Sequence, residues 1–207
     1  MALKFPEAKG QAVSNKQDYY KFVDGEQSVR LLDLLARYVY WIDGENGKKL
    51  PIECLAFNRE TETFDNAEKD WVKEFYPDIK CGKAYVSQCI AEGKVMMFGH
   101  KAKLLSAIID EVKDLGDPTD PENGWNIVFE KKKTGPLPIN VEYTLKGRKL
   151  KNTPLTDEEK ELIKEIKPIE EVMPRPTPAS QKEFLEKLRN KSTENIDEDV
   201  GEEFDVS

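Results

Sequence analysis

Histidine occurs once in this chain, at His100, and cysteine three times, at Cys54, Cys81 and Cys89. A Ser-His or Cys-His catalytic pair therefore has a single candidate base. An odd cysteine count at irregular spacing argues against a disulfide framework. No CxxC pair supplies the short ligand spacing that structural zinc sites favour. We read the cysteines as buried free thiols, with no metal and no cofactor. A zinc site, if there were one, would have to be built from Cys54, Cys81, Cys89 and His100. Walker A, GxGxxG, GxSxG and HExxH sequences are all missing. The carboxylates are scattered among lysines, and no pair stands out as general acid and base. These absences point away from an enzyme. No apolar run approaches the roughly 18–20 residues of a membrane span, and MALKFPEAKGQ contains no signal-peptide core. We expect a soluble, cytoplasmic protein with no membrane partner.

Charge is present in quantity but is unevenly placed. The 207 residues carry a net charge of -8, with 32 Lys+Arg against 40 Asp+Glu. Residues 1–151 hold 24 of each sign, so the entire imbalance lies beyond residue 151. Residues 193–207 contain seven carboxylates and no cation, with Phe204 as a large apolar side chain near the end. A segment of that composition cannot bury enough apolar surface to fold and is expected to be disordered.

Between these extremes the chain reads as short strands broken by turn signals. Strand character recurs at 28–32, 37–42, 52–57, 83–90, 94–98, 125–129 and 139–145. The clearest hairpin crosses Ala91-Glu92-Gly93. Helical signals cover 66–75 and, more strongly, 101–115, where Leu104, Leu105, Ile108, Ile109 and Val112 form one apolar stripe. A third helix over 156–167 opens on Thr156 with glutamate three residues on. Prolines 168, 174, 176 and 178 then read as a linker, with a short amphipathic helix over 180–191. Four regions follow: a flexible arm at 1–24, a folded domain at 25–167, a Pro-rich linker at 168–192 and an acidic disordered tail at 193–207. Short strands with one helix before the last two give a mainly β fold with α insertions. The expected architecture is an OB-fold-like five-stranded barrel with extra strands and helices.

Basic residues alternate with aromatics on the strands. Period-two geometry places Arg37, Val39 and Trp41 on one face, and Lys83 shares a face with Tyr85. From Lys131 to Lys151 there are seven basic residues (Lys131, Lys132, Lys133, Lys146, Arg148, Lys149 and Lys151) against one acid, Glu142. Single-stranded nucleic acid needs this combination, because cations track phosphates while aromatic faces stack on bases. The competing reading of each residue is ordinary: Tyr38, Phe57, Trp71 and Phe129 as core, Lys131 to Lys133 as a solvated loop, His100 as a turn residue.

The order of these features resembles the single-stranded DNA-binding, helix-destabilising proteins of tailed bacteriophages. An Asp-Gly turn leads into Val-Arg-Leu-Leu, followed by a Tyr/Trp-rich strand. A hairpin ends in Val-Met-Met-Phe, and a Lys-rich amphipathic helix comes next. Asp117-Pro118, Asp120-Pro121, the strand Trp125 to Phe129, Val141-Glu142-Tyr143 and Pro154-Leu155-Thr156 complete the series. The resemblance covers residues 15 to 167. It implies an OB-fold groove for single-stranded DNA used in replication, recombination and repair, in the host cytoplasm. It assigns groove roles to Arg30, Arg37, Trp41, Lys83, Tyr85, Tyr143, Arg148 and Lys149, to which the basic pattern adds Lys131, Lys132 and Lys151. It implies that the tail recruits replication or recombination proteins and shields the groove, through Asp197, Glu198, Asp199, Glu202, Glu203, Phe204 and Asp205. The chain departs from the family in two ways. Its cysteines do not match the spacing of the zinc-binding insertion of some relatives. Residues 1–20 carry only Lys4, Lys9 and Lys16, which leaves weak self-association rather than a basic cooperative motif. Two rivals remain: an interaction module without nucleic-acid binding, and a magnesium-dependent nuclease, for which no spaced carboxylate motif is visible.

Overall fold

The structure, a computed structural model, describes residues 17–44, 48–137 and 139–197. Seven strands form one antiparallel sheet: β1 (Gly25–Leu31), β2 (Leu35–Asp43), β3 (Lys49–Glu53), β4 (Gly82–Ala91), β5 (Lys94–Gly99), β6 (Ile127–Lys133) and β7 (Val141–Leu145). Five helices accompany them: α1 (Val72–Phe75), α2 (Ala102–Leu115), α3 (Asp157–Lys164), α4 (Ile169–Val172) and α5 (Pro178–Asp197). The strand order is β3-β2-β4-β1-β6-β7, with β5 beside β4. The fold is mainly β with helical insertions, as expected. Closure into a barrel is not seen: no ladder joins β5 to β7 among the described residues, and the sheet is open.

The longest strand, β4, organises the rest. Val86 pairs with Leu35 of β2 on one edge and Gly99 of β5 on the other. Cys89 and Ile90 pair with β1 on the first edge and again with β5 on the second. So β1 and β2 run end to end along one edge of β4, and β5 takes the other. The β4–β5 hairpin turns on Glu92 and Gly93, at φ 53° and 70°. Both central residues are left-handed, as a two-residue type I′ turn requires.

Alternation sorts the side chains to two faces. One face of β1, β4, β5 and β6 carries Val29, Leu31, Cys89, Phe98, Ile127 and Phe129, covered by Leu104 and Ile108 of α2. The same face of β2 and β3 carries Ala36, Tyr40, Ile42 and Ile52 and packs against Phe57, Val72, Leu185 and Leu188. On the opposite face a smaller cluster joins Leu35, Val86 and Met97 to Ile169. Ile109, expected in the α2 stripe, is half exposed.

Several elements differ from the sequence reading. The helix expected over 66–75 is reduced to α1. The Asp70 carboxylate accepts from Leu55 N, Tyr40 Oη and Val72 N, and Asn66 donates to Leu55 O. These tertiary bonds hold 66–71 in an irregular path that helix propensity alone would not choose. Residues 54–57, read as strand, form a turn after β3, whereas Lys131 to Lys133, read as loop, extend β6. Part of the expected arm is attached: Tyr20 N donates to Met97 O, and Met97 N to Asp18 O. Residues 1–16 lie outside the described residues. The segment read as a linker packs on the body instead. Ile169, Leu185 and Leu188 are buried, and Gln181 bridges Glu53 O and Trp71 N. Lys69 and Lys182 sit over the Trp71 ring, at 3.8 and 4.6 Å from its centroid. The capping box of α3 forms as read, with Glu159 N to Thr156 Oγ1 at 3.2 Å and Thr156 N to Glu159 Oε2 at 2.8 Å.

Arg30, expected in a groove, is turned inward and is only 2% exposed. The loop 117–124 covers the face on which this side chain lies. Its guanidinium donates to Asp120 O and Thr153 O, both at 2.6 Å. A Cβ on Gly124 would lie 2.7 Å from Arg30 Nη2 and 2.3 Å from Asp120 O. Only glycine fits there. Losing a hydrogen-bonded charge that satisfies buried carbonyls costs about 1–3 kcal/mol. We expect Arg30→Leu and Gly124→Ala each to lower stability by about that amount, read as a lower urea midpoint at unchanged slope.

Candidate nucleic-acid interface

The residues singled out from the sequence do not converge on one groove. Arg37 pairs in register with Ala84, so Lys83 and Tyr85 point to the other side of the sheet from Arg37 and Trp41. Arg37 is largely buried beside Glu53, at 4.0 Å, and desolvation holds its guanidinium below its ordinary pKa. Trp41 is 52% exposed near the end of β2, opposite Pro51. Lys83 is exposed and Tyr85 half-buried. Asp197 ends α5, and Glu198, Asp199, Glu202, Glu203, Phe204 and Asp205 lie outside the described residues.

The β6–β7 ribbon does gather cations. In register, Lys131 faces Tyr143 and Lys133 faces Val141, so these four share one side, while Lys132 lies on the other. Lys131 is tied to Asp24 at 3.0 Å and donates to Phe22 O at 3.0 Å. Beyond Lys133, the hairpin end exposes Leu137 and Ile139, the latter 83%. The strand is followed by a 3-10 turn, Gly147–Lys149. Here Lys149 bonds Glu26 at 2.6 Å, and Lys146 bonds Glu130 at 2.5 Å. Arg148 and Lys151 are exposed and make no ion pair among the described residues.

Two lysines that the sequence reading passed over complete this surface. Lys101 and Lys103 open α2 beside Thr134, Val141, Glu142 and Tyr143, around a cavity of about 380 Å³. Lys101 Nζ lies 5.0 Å from the Phe22 ring centroid and 6.0 Å from that of Tyr143. Phe22 meets Tyr143 edge to face at 5.3 Å. The start of α2 has no side-chain cap and no acid in its first turn. Positive side chains there oppose the helix dipole, by about 0.3–1 kcal/mol each at low salt. The Phe22 and Tyr143 rings and the neighbouring Glu142 offset part of that cost, and a local rule broken in this way is expected at functional sites. The signal was legible in the sequence as Lys-x-Lys where a helix start ordinarily carries acids. Amide N–H groups, lysines and two rings converge here, which suits a phosphate with a neighbouring base.

The candidate nucleophile pair is structural. Ser87 Oγ lies 2.7 Å from His100 Nε2, but Ser87 is wholly buried and His100 Nδ1 has no partner. Burial closes this hydroxyl to substrate, and among the described residues no third group hydrogen-bonds the far side of the imidazole as a triad requires. The thiols also fail to converge: Cys54 and Cys81 belong to the cluster under α5, Cys89 to the cluster under α2. One ion cannot be held by both sets. Burial pushes the Cys54 and Cys89 thiols up to about 12.

No family model matches the chain. The chain is similar to a protein of Escherichia phage T5 named probable ssDNA-binding protein, at 32% identity over 158 residues, covering 69% of this chain and 59% of that protein. The chain thus spans about three-fifths of the length of that relative. No helix among the described residues is long and apolar enough to cross a membrane.

Burial lowers the His100 pKa to about 4, so the folded state holds the ring neutral. Above the unfolded value near 6.5 this group leaves stability intact; between 6.5 and 4 the unfolded chain binds the extra proton, and stability falls with pH. We expect a fall in denaturant midpoint from pH 6.5 to pH 4.5 that is smaller in His100→Gln.

Proposed function

We propose that the protein binds single-stranded DNA without sequence preference, as a non-enzymatic component of phage replication, recombination and repair in the host cytoplasm. The observation that carries this reading is Lys101 over the Phe22 and Tyr143 rings at the start of α2, with Lys103 on the same cavity and Lys131 and Lys133 on the Tyr143 side of the β6–β7 ribbon. Likeness to a relative named probable ssDNA-binding protein supports the same reading. The order of elements supports an OB-type arrangement. β1, β4, β5, α2, β6 and β7 follow one another as five strands with a helix between the third and fourth, and β1 pairs with both β4 and β6. In this view β2, β3 and α1 are an insertion between the first two strands. OB-folds bind oligonucleotides over strands two and three and the loops joining strands one to two and four to five. The β6–β7 hairpin is the second of those loops, and Trp41 lies in the insertion that replaces the first. The acidic segment beyond α5 would recruit partner proteins and compete with DNA for these cations, its tether to the body giving it a high local concentration.

Titration with oligo-dT at several salt concentrations tests this reading. Tryptophan fluorescence should be quenched, and affinity should fall steeply with salt as counterions are released. Trp41→Ala and Tyr143→Ala should each weaken binding by about 1–3 kcal/mol, the range for one stacked base. Lys101→Gln should make the salt slope shallower by roughly 0.7, one phosphate contact on a single strand. Removing residues 198–207 should tighten binding most at low salt, where screening is weakest. Absence of binding favours the interaction module, and magnesium-dependent cleavage of the oligonucleotide favours the nuclease.

A further inference from the structure

The end of the β6–β7 hairpin is apolar where turns are ordinarily polar. From Thr134 to Val141 the sequence carries no charged residue. Ile139 is the most exposed large apolar side chain among the described residues, at 83%, and Leu137 is 55% exposed. Neither belongs to the apolar clusters that make the core. The turn that presents them is closed. Thr134 N donates to Asn140 O at 2.9 Å, and Asn140 N to Leu137 O at 3.0 Å. A Cβ on Gly135 would lie 2.4 Å from Asn140 Nδ2, so the two arms of the tip are in contact. Two aliphatic side chains are thus held out in water on a shaped support, outside the packed core.

The base of the same tip is cationic. Thr134 and Val141, at its two ends, line the cavity with Lys101, Lys103 and Tyr143. Lys131 and Lys133 lie on the Tyr143 side of the ribbon and Lys132 on the other. Two acids stand among these lysines: Glu142, opposite Lys132 in register and on the cavity, and Asp24, paired with Lys131. Size separates the candidate occupants of the tip. A stable protein interface needs roughly 800 Å² on each side, from about 20–30 residues. Two aliphatic side chains offer far less. Unstacking a base step needs only about one or two, since architectural DNA-binding proteins insert Leu, Ile, Met or Pro between adjacent base pairs. Bases that are already unpaired stack on aromatic faces instead. The rings that suit them, Phe22 and Tyr143, lie with Lys101 at the base and not at the tip.

We propose that the hairpin tip is a wedge for the boundary between single- and double-stranded DNA. Phosphates of the unpaired strand lie on the lysines at its base. Leu137 and Ile139 enter the first paired step beyond them and unstack it. The protein then has a strand-opening activity distinct from the trapping of strands that have already separated. Trapping depends on affinity for single strands alone, whereas a wedge acts on a step that is still paired. This inference rests on the proposed DNA-binding function and deepens it, with the junction as a substrate of the same site.

Because trapping and wedging depend on different residues, one experiment separates them. The substrate is a DNA hairpin with a single-stranded dT arm and 2-aminopurine at the first paired position, whose fluorescence rises on unstacking. Full-length wild type is compared with Leu137→Ser/Ile139→Ser and Leu137→Met/Ile139→Met, at concentrations that saturate the arm. The substitutions change only exposed side chains, and equal urea midpoints check that folding is unaltered. We expect the serine pair to bind oligo-dT within about twofold of wild type, since aliphatic side chains are poor stacking platforms. It should nevertheless lose most of the junction signal. The methionine pair should keep that signal, because methionine also serves as a wedge. Full junction signal from the serine pair overturns the wedge. So does a signal lost only in proportion to oligo-dT affinity, which makes the tip an ordinary strand contact. A serine pair that opens the junction fully but loses a dimer seen for wild type by sedimentation assigns the tip to a second copy instead. Oligo-dT binding by wild type with no junction signal also overturns the wedge and leaves the proposed function standing. No binding of oligo-dT by wild type overturns the function itself.

Discussion

Gln88 is the point on which the sheet depends. Here β4 exchanges one edge partner for another, and a strand edge with no partner leaves buried amides exposed. At Leu32 to Leu34 neither β1 nor β2 is paired as a strand. Gln88 O accepts from Leu32 N at 3.0 Å, and Gln88 N donates to Asp33 Oδ1 at 2.6 Å. The side-chain amide donates to Asp33 Oδ2 at 2.9 Å and to Lys167 O, and accepts from Gln17 at 2.8 Å. The carboxylate that performs this repair is itself desolvated, which raises its pKa, while its bonds from Gln88 act in the opposite sense. A single residue thus closes the gap between two collinear strands and fastens both the N-terminal segment, through Gln17, and the chain at Lys167.

That constraint explains what the sequence shows and what it hides. Alternation on β2 was legible, and the face shared by Arg37, Val39 and Trp41 is the observed one. Relative faces across strands were not, because they depend on register. Pairing of Arg37 with Ala84, rather than with Lys83 or Tyr85, separates residues that a one-residue slip would bring together. Arg30 shows a second limit. Period two assigns a side chain to a face, but whether a distant loop covers that face is decided by Gly124 and Thr153, about a hundred residues away. Composition misled in the C-terminal third for a similar reason. Residues 178–190 are mostly polar because α5 lays only a narrow line, Gln181, Leu185 and Leu188, against the body. Its other side is stabilised by pairs such as Lys187 with Glu183, at 2.6 Å. A helix that touches through three or four residues looks like a linker until its partner is known.

The cations fall into two energetic classes, and the difference decides what each can do. Lys131, Lys146 and Lys149 are paired with Asp24, Glu130 and Glu26 at or near the surface. Exposed pairs contribute roughly 0–1 kcal/mol, so a phosphate can replace the carboxylate at little cost. Such pairs keep the surface near neutral until a polyanion arrives. Arg59 and Glu53 are different. Their bidentate contact is buried, and removing one partner would strand a charge in a poor dielectric. Arg59 is therefore fixed by Glu53 rather than exchangeable. Arg37 at 4.0 Å and Arg175 at 3.8 Å also address Glu53, and Glu68 shares Arg175 at 3.5 Å. The lysine pairs of β6–β7 can exchange a carboxylate for another anion at little cost, whereas the arginines gathered at the end of β3 are held in place by Glu53 and Glu68.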